Sequence, residues 1–556
     1  MNREQLRDAG RTATAPVRAV PVVIWLITVL HVAVMLAQTA VFPNVRSPDE
    51  LKHVDLIVQV EQGTAWPWPD PGTIFVTEGV TAGHFLSSDR LWSGRQFLAD
   101  RVDADGPEFA PPRGERPSFA DDGGLAPWAQ EHADGTTEAV TNQLVQHPPL
   151  YYLLGAAALH AVPDWATAPM DQVWLWLRWL NTLVAAPIPL LLWASARRLG
   201  LPEPLPVAAA LTPVAVPEME HLYSAVNNDN LLVLFGTALT YLLVRVMTGD
   251  LSRRTALVVG LVATAALLTK GFALMLPAWI ALAYGVALYR SRGRRRVALG
   301  SLVVAAVATL PGVAWWVRNL VLYGAIQPHG YRTEVPDLTP VYGWSDGGDR
   351  WLGRLLERFV TTFFVQDHAV AEAHDASWWA ARVALVLVAA GVVAALVRGT
   401  VPRMTAVVLL AAVPMLGAIV AKGSWEQFAA FRDFAAAQQG RYLYTGFAGV
   451  VLVAFAGAAV LRPAWRRWVP AGVLVLALGL HAAFQYDTWI LYWMPEHESG
   501  WAAVGSAVEA MAFWYPWPAG VFVAVVAVGV AAAAGVVWQV VRRPAGEPAP
   551  SPMLTT

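Results

Sequence analysis

The stretch Ser47-Pro48-Asp49-Glu50-Leu51-Lys52-His53 sets two adjacent carboxylates and an imidazole just past an apolar run at 20–42. A carboxylate held against a hydroxyl can take its proton as a general base, and a histidine nearby can orient or relay it. The same residues read as a helix start. Ser47 suits an N-cap, Pro48 the first helical position, and Glu50, three residues after the cap, completes a capping box. Leu51, Val54 and Val58 then form an apolar stripe and Gly63 ends it, which predicts an amphipathic helix lying on the outer leaflet. The box gives Glu50 a structural task and leaves Asp49 free for chemistry. His53 follows one turn after Asp49, on its face.

Further polar residues fall where helices should end. Asn227-Asn228-Asp229-Asn230 fills a tight turn; turn chemistry alone accounts for it, but it falls on the same side as Asp49, which makes Asn228 and Asp229 candidates. His147 precedes Pro148-Pro149 at the entry to a short helix and reads equally as a loop residue or a ligand. Lys270 interrupts an apolar stretch between Thr255 and Ala287, and an ionisable residue there is costly unless it functions or snorkels to the interface. Lys52, Lys270 and Lys422 are the only lysines, and all three fall on the outer side. Trp315-Trp316-Val317-Arg318-Asn319 ends one helix and Gln439-Gly440-Arg441-Tyr442 enters another. Their guanidiniums suit a phosphate, which a planar fork can hold bidentately. Lys270, Arg318 and Arg441 are expected to converge near Asp49 as an anion site, with His53, His147, Asn228, Asn319 and Tyr442 around it. Asp49, Glu50 and Asp229 also offer oxygen ligands for a possible divalent cation (Mg, Mn or Ca); the sequence leaves metal dependence open. Trp66 and Trp68 suit either sugar stacking or an interfacial belt.

The elements that must position these residues are membrane helices. Of 556 residues 56% are hydrophobic and 14% charged, against about 25% charged in globular domains. Apolar runs predict about twelve spans, at 20–42, 173–195, 204–221, 229–247, 255–269, 271–289, 297–316, 379–397, 404–421, 442–461, 469–486 and 517–541. The first run is long for a signal peptide and lacks a small-residue cleavage site, so it reads as a retained helix. The segment 148–162 is short and reads as interfacial or re-entrant; a true crossing would invert the later topology.

Arginine decides the orientation. With both termini cytoplasmic, the inner segments collect Arg197, Arg198, Arg245, Arg253, Arg254, Arg290, Arg294, Arg295, Arg398, Arg403, Arg462, Arg466 and Arg542, while most carboxylates fall outside. This positive-inside partition hides beneath a net charge of −2. The basic loops face anionic lipid and point to no nucleic-acid partner. Without cysteine there is no disulfide or thiolate-metal chemistry. Three outer segments are large, at 43–146, 318–378 and 422–441. The reading in domains is a cytoplasmic tail at 1–19, a catalytic module at 20–461, C-terminal helices at 462–543 and a Pro-rich tail at 544–556. No P-loop, dinucleotide fingerprint or HExxH motif is present.

In the order of its motifs the chain resembles the GT-C superfamily of polytopic glycosyltransferases. It is most similar to bacterial membrane proteins marked by Pro-Asp-Glu-x-x-His, here Pro48-Asp49-Glu50-Leu51-Lys52-His53. Pro148-Pro149-Leu150 is similar to the proline pair closing the first outer loop of protein mannosyltransferases and aminoarabinose transferases. Leu177-Arg178, Asn228-Asp229, Thr269-Lys270, Trp316-x-Arg318-Asn319 with Tyr323-Gly324, and Gly440-Arg441-Tyr442 also fit, so the resemblance covers about residues 20–450. It implies an all-α polytopic fold with interfacial helices in the first outer loop. It implies an aspartate base there, carried over to Asp49, and a polyprenyl-phosphate sugar donor held by basic residues at the outer headgroups. The first loop departs from simple members in its acidic inserts around Asp100 to Asp134, which leaves the acceptor open.

Taken together, the expected activity is inverting transfer of a sugar from a polyprenyl phosphate to a cell-envelope glycan or lipid acceptor, by a monomer at the outer face of a bacterial plasma membrane. Two rivals remain: a lipid-linked sugar flippase, which wants charges near the midplane and inverted repeats, and a non-catalytic envelope scaffold built on the first loop.

Overall fold

The computed structural model describes residues 20–44, 47–63, 118–120, 129–131, 137–139, 142–327, 340–364, 375–495 and 498–542. Trp66, Trp68 and most of the acidic inserts lie outside the described residues, as do both terminal tails.

Apolar composition dictates helices, because only a helix or closed barrel satisfies its own backbone in lipid. The described chain runs α1 (Val22–Val41), α2 (Glu50–Glu61), α3 (Leu150–Leu159), α4 (Met170–Ala185), α5 (Ile188–Arg198), α6 (Leu205–Leu211), α7 (Pro217–Tyr223), α8 (Asn228–Met247) and α9 (Arg253–Leu267). It continues through α10 (Leu276–Arg290), α11 (Arg295–Tyr323), α12 (Gly348–Phe364), α13 (Asp375–Arg398), α14 (Arg403–Phe431), α15 (Phe447–Ala458), α16 (Val469–Tyr492), α17 (Gly500–Trp514) and α18 (Ala519–Arg542). Between α2 and α3 a small antiparallel hairpin, Ala129–Glu131 with Thr137–Ala139, departs from helix, as does an isolated bridge between Ser118 and Pro169.

Among the described residues ten helical stretches are long and apolar enough to cross a membrane, and the chain is a multi-pass membrane protein. The other two expected segments are present as broken or shortened helices. The segment 204–221 is broken into α6, a 3-10 turn at Pro213–Ala215 and α7, because Pro213 and Pro217 offer no N–H to a continuous ladder. The segment 255–269 becomes α9, of 15 residues and about 22 Å long, which carries the chain from Thr255 beside Asp250 at the arginine end to Lys270 beside Asp229. At 148–162 the structure forms α3, of 10 residues, too short to span, and the Leu150 N–H caps the C-terminus of α9 by donating to the Leu268 carbonyl at 2.9 Å.

Close packing holds the bundle where small residues permit it, as in other membrane helices. α9 lies along α11, α13 along α15, and α1 along α18. At Gly260 and Gly312 an added Cβ would collide with the facing helix, and Thr264 Oγ1 donates across the same seam to the Ala308 carbonyl at 2.8 Å.

The helix ends sort by charge. α8 starts at Asn228-Asp229 and ends near Arg245. At that second end Arg198 Nε donates to Thr248 Oγ1 at 2.9 Å and Arg290 Nη1 to the Met247 carbonyl at 3.2 Å. The arginines expected inside thus gather at one end of the bundle, while Asp229 begins the other.

The helix α2 is buried in protein: Val54, Leu56, Ile57 and Val58 are 0–1% exposed, packed in a cluster with Leu144, Val145, Tyr151, Tyr152 and Leu177. Buried Asp55 accepts from Gln59 Nε2 and Asn142 Nδ2, each at 2.8 Å, which satisfies a carboxylate that burial would otherwise penalise.

Candidate functional site

The loop between α1 and α2 is clamped residue by residue. Ser47 Oγ pairs with His221 Nε2 at 2.9 Å. His221 Nδ1 lies 3.1 Å from Glu218 Oε2, so the carboxylate holds the ring proton on Nδ1 and Nε2 accepts from the serine hydroxyl. The Pro48 carbonyl accepts from Asn227 Nδ2 at 3.1 Å. Glu50 is fully buried and accepts bidentately from Arg178, Nε to Oε1 at 2.7 Å and Nη2 to Oε2 at 2.6 Å. Glu50 Oε1 also takes the Val226 N–H at 3.0 Å.

The expected capping box is therefore not formed. Ser47 turns to His221 instead of the helix, and Glu50 turns to Arg178, so its structural task is a different one and it is not open to substrate. Asp49 itself occupies the N-cap position in a left-handed conformation, with φ of 57° and no side-chain cap bond. That conformation is one that Asp and Asn tolerate better than most residues. Its side chain is 39% exposed and points at Arg441, whose Nη2 donates to Asp49 Oδ2 at 3.2 Å.

Arg441 arrives from far along the chain on a 3-10 segment, Gly440–Gly446. The Gly440 N–H donates to Thr362 Oγ1 at 2.6 Å, and Tyr444 OH to the Phe363 carbonyl at 2.7 Å, so α12 fixes its approach. The guanidinium is 3% exposed, and its Nε stands 3.9 Å from Asp229 Oδ2. Lys270 Nζ donates to Asp229 Oδ1 at 2.7 Å and lies over the rings of Phe272 and Tyr442, 5.3 and 5.5 Å from their centroids. The result is an alternating chain of charge: Asp49, Arg441, Asp229, Lys270. Within it Arg441 Nε and Nη1 have no hydrogen-bond partner among the described residues, nor has Asp229 Oδ2.

Asp229 is aimed by the turn that starts α8. Asn227 Oδ1 caps its N–H at 2.9 Å, and Asn230 Nδ2 ties the turn to Asn181 Oδ1 and to the Leu222 and Ala225 carbonyls. The Asn228 amide is buried with neither its oxygen nor its nitrogen in a formed hydrogen bond.

Two imidazoles close the site. His53 is buried, its Nδ1 3.2 Å from Tyr152 OH and its ring stacked on Tyr152. His147 is buried with Nδ1 unpaired among the described residues. Burial first, then Lys270, holds the pKa of each well below the ordinary histidine value, so both are neutral near pH 7. For Asp49 burial opposes ionisation, but Arg441 first, then Lys270 and Lys52, outweigh it and lower its pKa.

Two expected members stand elsewhere. Arg318 lies over Trp315, 4.8 Å to the centroid, and Tyr323, and donates to Asn319 Oδ1 at 3.2 Å. Asn319 donates to the Ile326 carbonyl and closes the end of α11. Neither has a described contact with the Asp49 cluster. Charge does not keep to one face either. His31, midway along α1, meets Glu220 at 2.7 Å with both side chains fully buried. Glu218, Glu220 and His221 sit inside the run 204–221 read as a plain span; ionisable residues in an apolar run were the signal that marked them.

Among the described residues no group of three or more His, Asp or Glu side chains could hold a metal ion, and the space between Asp49 and Asp229 is taken by a guanidinium.

Comparison with known proteins adds a partial match. Residues 170–315 match the family described as dolichyl-phosphate-mannose-protein mannosyltransferase, within the GT-C superfamily that the motif order resembles. The matched region includes Arg178, Asp229 and Lys270; Asp49 and Arg441 lie outside it. Among solved structures, the oligosaccharyltransferase of Archaeoglobus fulgidus aligns over 84% of this chain at 12% identity and a TM-score of 0.34. The chain spans about half of that protein's length, 55%. ArnT from Cupriavidus metallidurans aligns over 74% of this chain and 78% of its own at 14% identity and a TM-score of 0.25. No curated protein matches the chain.

Proposed function

We propose that this protein is an inverting glycosyltransferase that moves a sugar from a polyprenyl phosphate to an acceptor hydroxyl, with Asp49 as general base. The observation that carries this reading is the charge chain itself: a half-exposed carboxylate paired to a buried arginine that has donors to spare. Asp49 takes the proton of the acceptor hydroxyl as its oxygen attacks the anomeric carbon. The bond from that carbon to the phosphate oxygen breaks, and its electron pair leaves with the lipid phosphate. Attack opposite the leaving group inverts the anomeric centre. The leaving group is already an anion and needs charge stabilisation, which Arg441 and Lys270 supply. His53, His147, Asn228 and Tyr442 shape the pocket for the donor and acceptor.

In this reading Arg441 and Lys270 take the place of a divalent cation, and the polyprenyl headgroup and the reaction lie at the outer face of a bacterial plasma membrane. The match to the mannosyltransferase family over 170–315 supports the donor class. The test is sugar transfer by purified protein from a synthetic polyprenyl-phosphate sugar, assayed with and without EDTA. Transfer lost on Asp49→Asn and indifferent to EDTA supports the proposal. Transfer that EDTA abolishes and manganese restores overturns the metal-free part, and an Asp49→Asn variant at the wild-type rate overturns the base.

A second reading has one observation of its own. The buried His31–Glu220 pair within α1 and α7 suits a lipid-linked sugar flippase, whose charges lie inside the bilayer. Lipid-linked sugar crossing proteoliposomes without transfer would favour it.

A further inference from the structure

Arg441 is asked to hold two anions. It is bonded to Asp49 at 3.2 Å and lies 3.9 Å from Asp229, yet its Nε and Nη1 remain unpaired in a buried setting, where unmet donors are costly. A carboxylate bonded to a guanidinium is also a poor base, because the ion pair favours its ionised form. The groups that face Asp49 are Arg441, Lys270, Lys52 and His147. Lys270 is committed to Asp229 by a bond of 2.7 Å, and His147 is neutral. Arg441, the cation bonded to Asp49 and the one with donors left over, is the one whose allegiance can change.

We propose that Arg441 is exchanged between Asp49 and the donor phosphate, so that donor binding releases Asp49 as a base. The inference rests on the glycosyl-transfer reading and gives that site an order of events. A lipid phosphate entering beside Arg441 offers it a bidentate partner of matching geometry. The guanidinium turns its fork to the phosphate, and the bond to Asp49 Oδ2 lengthens. Asp49, freed from its counterion, gains basicity where the acceptor hydroxyl must be deprotonated. Without donor, the ion pair keeps Asp49 quiet and no acceptor is activated.

Linkage makes the exchange measurable without turnover. If Asp49 and phosphate compete for Arg441, removing the Asp49 charge must tighten phosphate binding, although it destroys the base. Asparagine is the right substitution, since it tolerates the left-handed backbone at this position. The experiment titrates undecaprenyl phosphate into purified wild type, Asp49→Asn, Arg441→Gln and the double variant, each checked by thermal melt. The expected result is affinity raised about fivefold or more by Asp49→Asn, lowered by Arg441→Gln, and indifferent to Asp49→Asn once Arg441→Gln is present. Equal or weaker binding by Asp49→Asn overturns the exchange, as does tightening that survives Arg441→Gln. Absence of any binding to the wild type overturns it as well.

Turnover gives a separate arm. If the exchange operates, the acid limb of kcat lies at higher pH than that of kcat/KM for the donor, because the first reports Asp49 with donor bound and the second reports it paired to Arg441. Sugar transfer by wild type without tightening by Asp49→Asn sinks the exchange and leaves the glycosyltransferase reading intact. Tightening without sugar transfer by any variant does the reverse.

Discussion

Arg178 uses all five of its N–H donors: two on Glu50 and one each on the carbonyls of Thr39, Phe42 and Pro43. It thereby pins the end of α1 to the start of α2, which is the hinge on which Asp49 is mounted. Glu50→Gln leaves that guanidinium buried beside a neutral amide, and removing one partner of a buried pair costs about 3–5 kcal/mol. The expected outcome is a marked fall in Tm, read by a thermal melt in detergent, with any activity lost in proportion. Asp49→Asn is the opposite case. The side chain is partly exposed and makes no cap bond, an asparagine oxygen can still accept from Arg441, and Asp229 stays beside that guanidinium, so Tm falls less than for Glu50→Gln while transfer falls by about 10²–10⁴-fold, the usual contribution of a general base. His53 and His147 carry a third expectation. Their folded pKa values are lowered, whereas the unfolded chain takes up protons below about pH 6.5. Acid then favours the unfolded state, and stability present above about pH 6.5 is lost as pH falls below it. Melts from pH 7.5 to 5 should show this decline, and His147→Gln should shallow it; a flat profile would mean that these imidazoles are not neutral in the folded protein.

The 3-10 segment Gly440–Gly446 and helix α12 meet so closely that a Cβ on residue 440 would stand 2.5 Å from the Phe363 nitrogen and 2.7 Å from the Phe359 oxygen. Backbone cannot yield as a side chain does, so Gly440→Ala must push the segment off α12 and carry Arg441 away from Asp49. The expected result is weaker binding of undecaprenyl phosphate with helical content retained; wild-type affinity would mean that α12 does not set the position of Arg441. At this scale the sequence was legible in part. Asp49, Asn228-Asp229, Lys270 and Arg441 stood at helix ends on one side, and the structure brings them together. Glu50 was misread because its partner is Arg178, 128 residues on, and no local pattern announces a distant guanidinium. Arg318 was misread for another reason. Lipid and protein interior are both apolar, so periodicity along α11 does not say which face turns inward; Trp316 and Asn319 do, and Arg318 does not. Prolines 213 and 217 were visible in the sequence, and the break they make between α6 and α7 could have been foreseen.

Across the whole molecule the ends of the helices carry opposite chemistry. At one end Arg198 and Arg290 pack against the end of α8 and Arg245 pairs with Asp250; at the other, Asp229 opens α8 beside Lys270, Arg441 and Asp49. A helix of 20 residues such as α8 is about 30 Å long, which is the thickness of the hydrocarbon core, so the two ends belong to opposite membrane faces. Positive-inside statistics predict that the arginine end is cytoplasmic and the charge chain outside. Because the chain has no cysteine, a single introduced thiol reports its own side without background. Ser345 is exposed in the turn before α12, and Gly293, between α10 and α11, has open space where a side chain would go. In intact cells a membrane-impermeant maleimide should label Ser345→Cys and should reach Gly293→Cys only after the membrane is opened. The reverse pattern would put the Asp49 cluster on the cytoplasmic face, where a donor carried on the outer leaflet could not meet it.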